Sequence, residues 1–277
     1  MYPELSDPTA RSIATLLEWY AASGVDIALE EESVDRLAPQ PVAAPAIAPA
    51  EIAARSVLSP PSPPSAAPQP PAPDMGESTL AARETARAAP TLEALRAALE
   101  SFDGCSLKLT AKSLVFADGN PAGRVMFVGE APGREEDLQG LPFVGRSGQL
   151  LDRMLAAIGL TRDDVYIANV VPWRPPGNRT PTPEETALCR PFIERQIELA
   201  DPDFLICLGG ASAKELLGTT EGILRLRGQW HDFETGRRRI RAMATLHPAY
   251  LLRQPLQKRL VWRDLLTLRA ALDEAGG

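Results

Sequence analysis

The sequence predicts an α/β fold: three layers, α/β/α, around a central, mainly parallel four-stranded sheet. Three observations carry this expectation. Short apolar runs recur through residues 101–277, segments of helical periodicity alternate with them, and loops rich in Gly, Pro and polar residues follow the runs. A continuous apolar run is the pattern of a strand buried on both faces. Repeated strand–helix units imply a parallel sheet covered on both sides.

The first strand is Arg124-Val-Met-Phe-Val-Gly129, an apolar run that ends at glycine. A helix over Gly148 to Ile158 follows, with Leu150, Leu151, Met154, Leu155 and Ile158 in helical register. Asp164 to Val171 is the second strand and Glu184 to Leu199 the next helix. Asp203 to Gly209 is the third strand, with a helix over about Ala211 to Leu217. Ile240 to Leu246 is the fourth, and Lys258 to Glu274 a closing helix. The basic run Arg237, Arg238, Arg239 and Arg241 is expected in a hairpin before the last strand, either as a solvated turn or as a rim for a polyanion.

Residues 1–100 differ in kind. They hold most of the prolines, in runs such as Ala43 to Ala50 and Ser59 to Pro73, and few aromatics. Such a tract cannot bury enough apolar surface to offset its ordering entropy. The expected division is a short helical segment over 1–38, a disordered Pro/Ala-rich linker over 39–90, and a folded domain over 91–277. Ser6 or Asp7 with Pro8 makes a helix start, and Ile13, Leu16, Leu17 and Tyr20 share a face. That helix is either a small cap or a docking helix for a partner protein. A further helix, about Leu92 to Ser101, leads into the domain.

The formal charge of −7 sits in the tail. Residues 1–100 carry 6 Lys/Arg against 14 Asp/Glu, and residues 101–277 carry 23 against 22. The folded part is nearly neutral, which neither supports nor excludes DNA, since a few phosphates need only a local basic rim. Three cysteines with no C-x-x-C argue against a disulfide framework. No apolar run approaches a membrane span and no signal-peptide pattern opens the sequence, so a cytoplasmic monomer is expected.

Ligands of parallel sheets sit at the carboxyl ends of the strands. There the sequence places Gly129-Glu-Ala-Pro-Gly133, then Asn169 with Arg174-Pro-Pro-Gly-Asn-Arg179, then Gly209-Gly210, then Thr245-Leu-His-Pro-Ala-Tyr-Leu-Leu252. Singly, each has a plain reading. The glycine loop is a tight turn or a phosphate cradle, Asn169 a turn residue, His247 a hydrogen-bonded loop histidine, and Phe143 a core ring. Their convergence on one edge points to a site.

Gly129-Glu-Ala-Pro-Gly133, Pro142-Phe-Val-Gly145, Arg174-Pro-Pro-Gly-Asn-Arg179 and His247-Pro-Ala-Tyr-Leu-Leu252 resemble, in order and spacing, the family 4 uracil-DNA glycosylases. The likeness runs from about Cys105 to Leu272. It implies an enzyme that flips uracil out of DNA and hydrolyses its N-glycosidic bond, with uracil-containing DNA as partner. By that resemblance His247 donates a hydrogen bond to uracil O2 as negative charge develops on the leaving base. Asn169 reads O4 and N3–H, and Phe143 stacks on the flipped ring. Gly129 and Ala131 line the place of the base. An acidic side chain after the first loop excludes the methyl group of thymine: Glu136, with Glu135 and Asp137 as alternatives. Ala131 stands where better-known uracil glycosylases carry a water-positioning aspartate, and Glu130 is the nearest carboxylate for that water. Ser147, Tyr250, Leu251, Leu252 and Arg253 are expected at the DNA, the apolar ones as a wedge, with Arg146 and Lys258 as further phosphate contacts.

The sequence departs from that family at the metal. Many members hold a 4Fe–4S cluster on four cysteines, and the matching positions here read Phe102, Cys105, Trp173 and Cys189. Two thiols cannot satisfy a cluster that takes four ligands. No metal is therefore expected, with Cys105 and Cys189 as remnants and Cys207 as packed core. Two rival readings remain. A protein that traps uracil-DNA covalently belongs to a related branch carrying an extra histidine on an inserted loop, but Arg179-Thr-Pro-Thr-Pro183 runs straight into a helix. A nucleotide-binding adaptor would be expected to use a G-x-x-x-x-G-K-[ST] loop, which the sequence lacks.

Overall fold

The computed structural model describes residues 75–276. The expected helical segment over 1–38, and the linker as far as residue 74, lie outside the described residues. In chain order the elements are α1 (Met75–Ala88), α2 (Leu92–Ser101), α3 (Leu107–Thr110), β1 (Asp118–Gly119), β2 (Val125–Gly129), α4 (Arg134–Gln139) and α5 (Arg146–Ala156). There follow β3 (Val165–Asn169), α6 (Pro183–Ala200), β4 (Phe204–Leu208), α7 (Gly210–Leu217), α8 (Ile223–Leu226), β5 (Trp230–Glu234), β6 (Arg239–Thr245), α9 (Pro248–Arg253) and α10 (Lys258–Gly276).

The sheet has six strands in the order β1-β3-β2-β4-β6-β5. The four expected strands form its parallel centre, and the expectation of four is corrected by two antiparallel edges. β1 is two residues long, too short to leave a periodic signal. β5 reads Trp-His-Asp-Phe-Glu with only Phe233 buried, as an exposed edge strand does. It forms the expected hairpin with β6 around Gly236, whose φ of 90° favours glycine.

Alternation along the central strands divides the core in two. Met126, Val128, Leu205, Cys207, Ala242 and Ala244 face one side with α1, α2, α6 and α7. Val125, Phe127, Ile167, Ile206 and Met243 face the other with α5, α9 and α10. This is the three-layer α/β/α arrangement. Helix α1 corrects the linker boundary, because Met75–Ala88 was expected to be disordered. It packs Ala82 and Ala86 into the core. Small alanines allow close approach to α6 but make no hydrophobic stripe in the sequence.

Of its two readings, the basic run fits the solvated turn in the structure. It lies where β6 begins, at the edge of the sheet opposite to the loops after Gly129, Asn169 and Thr245. Its charges are taken up internally: Arg238 pairs with Asp201 and Asp203, Arg239 with Glu234. The Arg241 guanidinium lies 4.4 Å from the Trp230 ring centroid. No helix among the described residues is long and apolar enough to cross a membrane.

Candidate active site

The loops at the carboxyl edge enclose a cavity of about 500 Å³. Glu130, Ala131, Glu136, Phe143, Asn169 and His247 line it, together with Ser147, Tyr250 and Arg253. These residues come from four separated loops, so the chain brings together most of the side chains its sequence singled out.

Asn169 ends β3, beside Gly129 at the end of β2. Its side chain is 5% exposed and its Oδ1 has no hydrogen-bond partner. A buried acceptor without a donor costs roughly 1–3 kcal/mol, a cost that a ligand N–H would relieve. Gly129 does not line the cavity itself but makes room for it. A Cβ there would stand 2.4 Å from Asn169 Oδ1 and 2.7 Å from Phe143 Cζ.

Phe143 adopts φ 54°, left-handed backbone that costs a side-chain-bearing residue on the order of 1–3 kcal/mol. Its ring faces that of His247, centroids 5.5 Å apart and planes inclined by 30°. His247 caps the start of α9, where its Nδ1 accepts the Ala249 backbone N–H at 3.1 Å. The neutral ring must then carry its proton on Nε2. Burial, followed by the charge of Arg253, lowers the His247 pKa from 6.5 to about 4, with Glu136 opposing. The imidazole is therefore neutral at pH 7. Gly209, at φ 101°, lies beneath it, and a Cβ there would come within 3.1 Å of the His247 Cβ. The pattern Gly209-Gly210 after a strand was the sequence's only signal of that contact.

Of the three acidic candidates after the first loop, Glu136 alone lines the cavity. Its Oε2 accepts Gly133 N–H at 3.1 Å, and its Oε1 accepts Val144 N–H at 3.1 Å and Gly145 N–H at 3.0 Å. It thus staples the first loop to the Phe143 loop, a role the sequence did not disclose. Asp137 is corrected as a candidate: it turns away, accepting the backbone N–H groups of Lys112 and Ser113 and lying 3.8 Å from Arg174. Glu135 is exposed. Glu130 is half-buried, and burial raises its pKa above 4.5.

Ser147 lies in the first turn of α5, where backbone N–H groups lack helical acceptors and favour an anion. Tyr250 and Arg253 line the cavity, and Leu252 is 38% exposed. Leu251 is corrected as a DNA contact. It is 1% exposed and packs into the core on the α5 and α10 side. Consecutive residues of a helix point about 100° apart, so 250 to 253 cannot all face one surface. Lys258 lines a separate apolar groove with Leu150, Met154 and Trp262.

Among the described residues, no group of three or more His, Cys, Asp and Glu is placed to hold a metal ion. Cys105 and Cys189 are both buried in the same core cluster. The neighbouring Cys105 thiol, followed by burial, raises the Cys189 pKa. Trp173 is 2% exposed, the Phe102 ring lies 5.1 Å from that of Phe192, and a Cβ on Gly104 would meet Phe102 Cζ at 2.4 Å.

The model of the uracil DNA glycosylase superfamily matches residues 116–266, a span that contains the sheet from β1 to β6 and every cavity loop. A type-4 uracil-DNA glycosylase of Thermotoga maritima is 40% identical over 188 residues, covering 67% of this chain and 96% of that protein. The type-4 enzyme of Archaeoglobus fulgidus is 43% identical over 155 residues, 54% of this chain and 78% of that protein. The one of Saccharolobus solfataricus is 38% identical over 173 residues, 61% and 80% of the two chains. Fold, site and similarity define a member of the uracil-DNA glycosylase superfamily. Within it, the chain belongs to the type-4 enzymes.

Proposed function

We propose that this chain is a uracil-DNA glycosylase of base-excision repair, which takes a uracil extruded from DNA and hydrolyses the bond between N1 and C1′. One observation carries the reading. A buried amide with an unpartnered oxygen, Asn169, lines the same cavity as His247, a neutral imidazole whose Nδ1 is already occupied.

The chemistry follows from those two groups. As the N1–C1′ bond breaks, its electron pair passes to uracil and the sugar becomes cationic. The Nε2–H of His247 donates to O2, where the negative charge gathers, and a preset donor of this kind is worth roughly 3–4 kcal/mol of barrier. A water adds its oxygen to C1′ and gives up a proton, leaving an abasic site and uracil. Glu130 orients that water. Because the nucleophile bonds late, orientation serves it more than deprotonation.

Asn169 reads the base: Oδ1 accepts N3–H and the amide N–H donates to O4. Cytosine presents the reverse pattern and leaves buried groups unpaired. Phe143 stacks on the ring, and Gly129 and Ala131 give it room. Glu136, fixed by three backbone hydrogen bonds, occupies the space that the methyl group of thymine would need. Flipping is assisted by Tyr250 and Leu252 at the vacated stack, with Arg253 and the first turn of α5 at Ser147 holding phosphates. The catalytic unit extends from α1 to α10, acting as a cytoplasmic monomer, with residues 1–74 outside it.

The residues at the four cluster positions do not fit a 4Fe–4S cluster. Phe102 and Trp173 offer no ligand atom; Trp173 is buried in the same core cluster as the two thiols, and Phe102 packs against that cluster. Apolar packing takes the place of the metal there, and no step of the reaction passes through one.

A labelled oligonucleotide containing one uracil tests the function. Free uracil with an alkali-labile site is the expected result. A detergent-resistant protein–DNA adduct would indicate a trap, and unchanged DNA would overturn the reading.

A further inference from the structure

Resting on that reading, we infer that Arg162 is a positioning residue that fixes the Phe143 ring for the flipped base. Arg162 lies outside the cavity, in the turn between α5 and β3. Its side chain is 23% exposed, and the guanidinium divides its donors between two tasks. Towards the sheet and α5 it is anchored by Asp118, on β1, and by Asp152, at 2.7 Å. Towards the site it donates to Pro142 O at 3.2 Å and to Phe143 O.

The second of those carbonyls belongs to Phe143, which with Asn178 is one of two non-glycine residues lining the cavity, among the described residues, whose φ is positive. An L-residue stays in the left-handed region only where its surroundings over-determine it. Three contacts do so here. Glu136 holds the following N–H groups of Val144 and Gly145. Gly148 lets the Phe143 carbonyl sit against α5, where a Cβ would stand 1.6 Å from that oxygen. Arg162 secures the same carbonyl from the far side. It is the only one of the three that ties the loop to β1, the edge strand. With the carbonyl released, the backbone of Phe143 can relax to negative φ, which swings the ring away from His247 and from Gly129.

Arg162 touches neither base nor sugar, so its loss should act through Phe143 alone. The test is a double-mutant cycle on the full chain: wild type, Arg162→Gln, Phe143→Ala and the double variant. Single-turnover uracil release and inhibition by free uracil are measured for each. Arg162→Gln should slow release by about tenfold to 10²-fold, the usual effect of small misplacement, and weaken free-uracil inhibition in step. In the Phe143→Ala background the same substitution should cost no more than about twofold, since nothing is left to position. Equal losses in both backgrounds, or unchanged free-uracil inhibition, would overturn the inference. Should Arg162→Gln not fold, Arg162→Lys replaces it. Lysine keeps the charge beside Asp118 and Asp152 but cannot fork to both carbonyls, and the same coupling with Phe143 is expected. Wild-type protein inactive on uracil-DNA would instead refute the proposed function, which keeps the two failures distinct.

Discussion

Gly129 and Asn169 are register partners at the ends of two adjacent parallel strands, and the Asn169 Oδ1 lies where a β-carbon on Gly129 would almost touch it. The contact explains why a residue with no side chain belongs to the site. Gly129→Ala should leave the fold intact while displacing the Asn169 amide and the Phe143 ring together. Uracil release should fall by at least 10²-fold with little change in melting temperature. A near-normal rate would show that the amide need not lie against β2.

The His247 tautomer makes a spectroscopic prediction. Imidazole ¹⁵N NMR has only two histidines to resolve, His231 and His247. At pH 7 His247 should be neutral with its proton on Nε2, titrating near 4. A midpoint at 6.5 or a proton on Nδ1 would contradict the hydrogen bond from Ala249.

The same shift links to stability. An unfolded histidine titrates at 6.5 and the folded one at about 4, so between those values the unfolded chain binds the extra proton. The contribution of His247 is full above pH 6.5 and is lost as pH falls towards 4. Denaturation midpoints of wild type and His247→Gln should diverge by a constant amount above pH 6.5 and converge below it.

Glu130 predicts an acid limb in the rate. Burial raises its pKa above 4.5, so release should fall as pH drops through a value higher than an ordinary carboxylate's. Glu130→Gln should remove that limb and cost on the order of tenfold to 10²-fold at neutral pH. A mutant with an unchanged pH profile would move the water to another group.

The aromatic side chains at the cluster positions predict a colourless, iron-free protein. Elemental analysis should find no iron, and chelators should leave both melting temperature and uracil release unchanged. Stoichiometric iron in the purified protein would overturn the assignment of Phe102 and Trp173 to packing.

How much of this was legible in the sequence follows from the physics of each element. The central strands announced themselves because burial on both faces demands unbroken apolar runs such as Val125 to Val128. β5 did not, since an edge strand with one buried residue has no such run. Helix α4, Arg-Glu-Glu-Asp-Leu-Gln between two glycines, carries charges on its first four positions and reads as loop. Asn169 and His247 were legible from their places after strands. The inward turn of Leu251, the staple made by Glu136 and the reach of Arg162 depend on side-chain direction, which no spacing encodes.

The most direct measurement of the central claim compares uracil release under single-turnover conditions by wild type, Asn169→Ala and His247→Ala, each confirmed as folded. The account predicts rapid release by wild type and losses of about 10²–10³-fold for His247→Ala. Asn169→Ala should slow uracil release and narrow the margin between uracil and cytosine. Folded variants that excise uracil at the wild-type rate would contradict it.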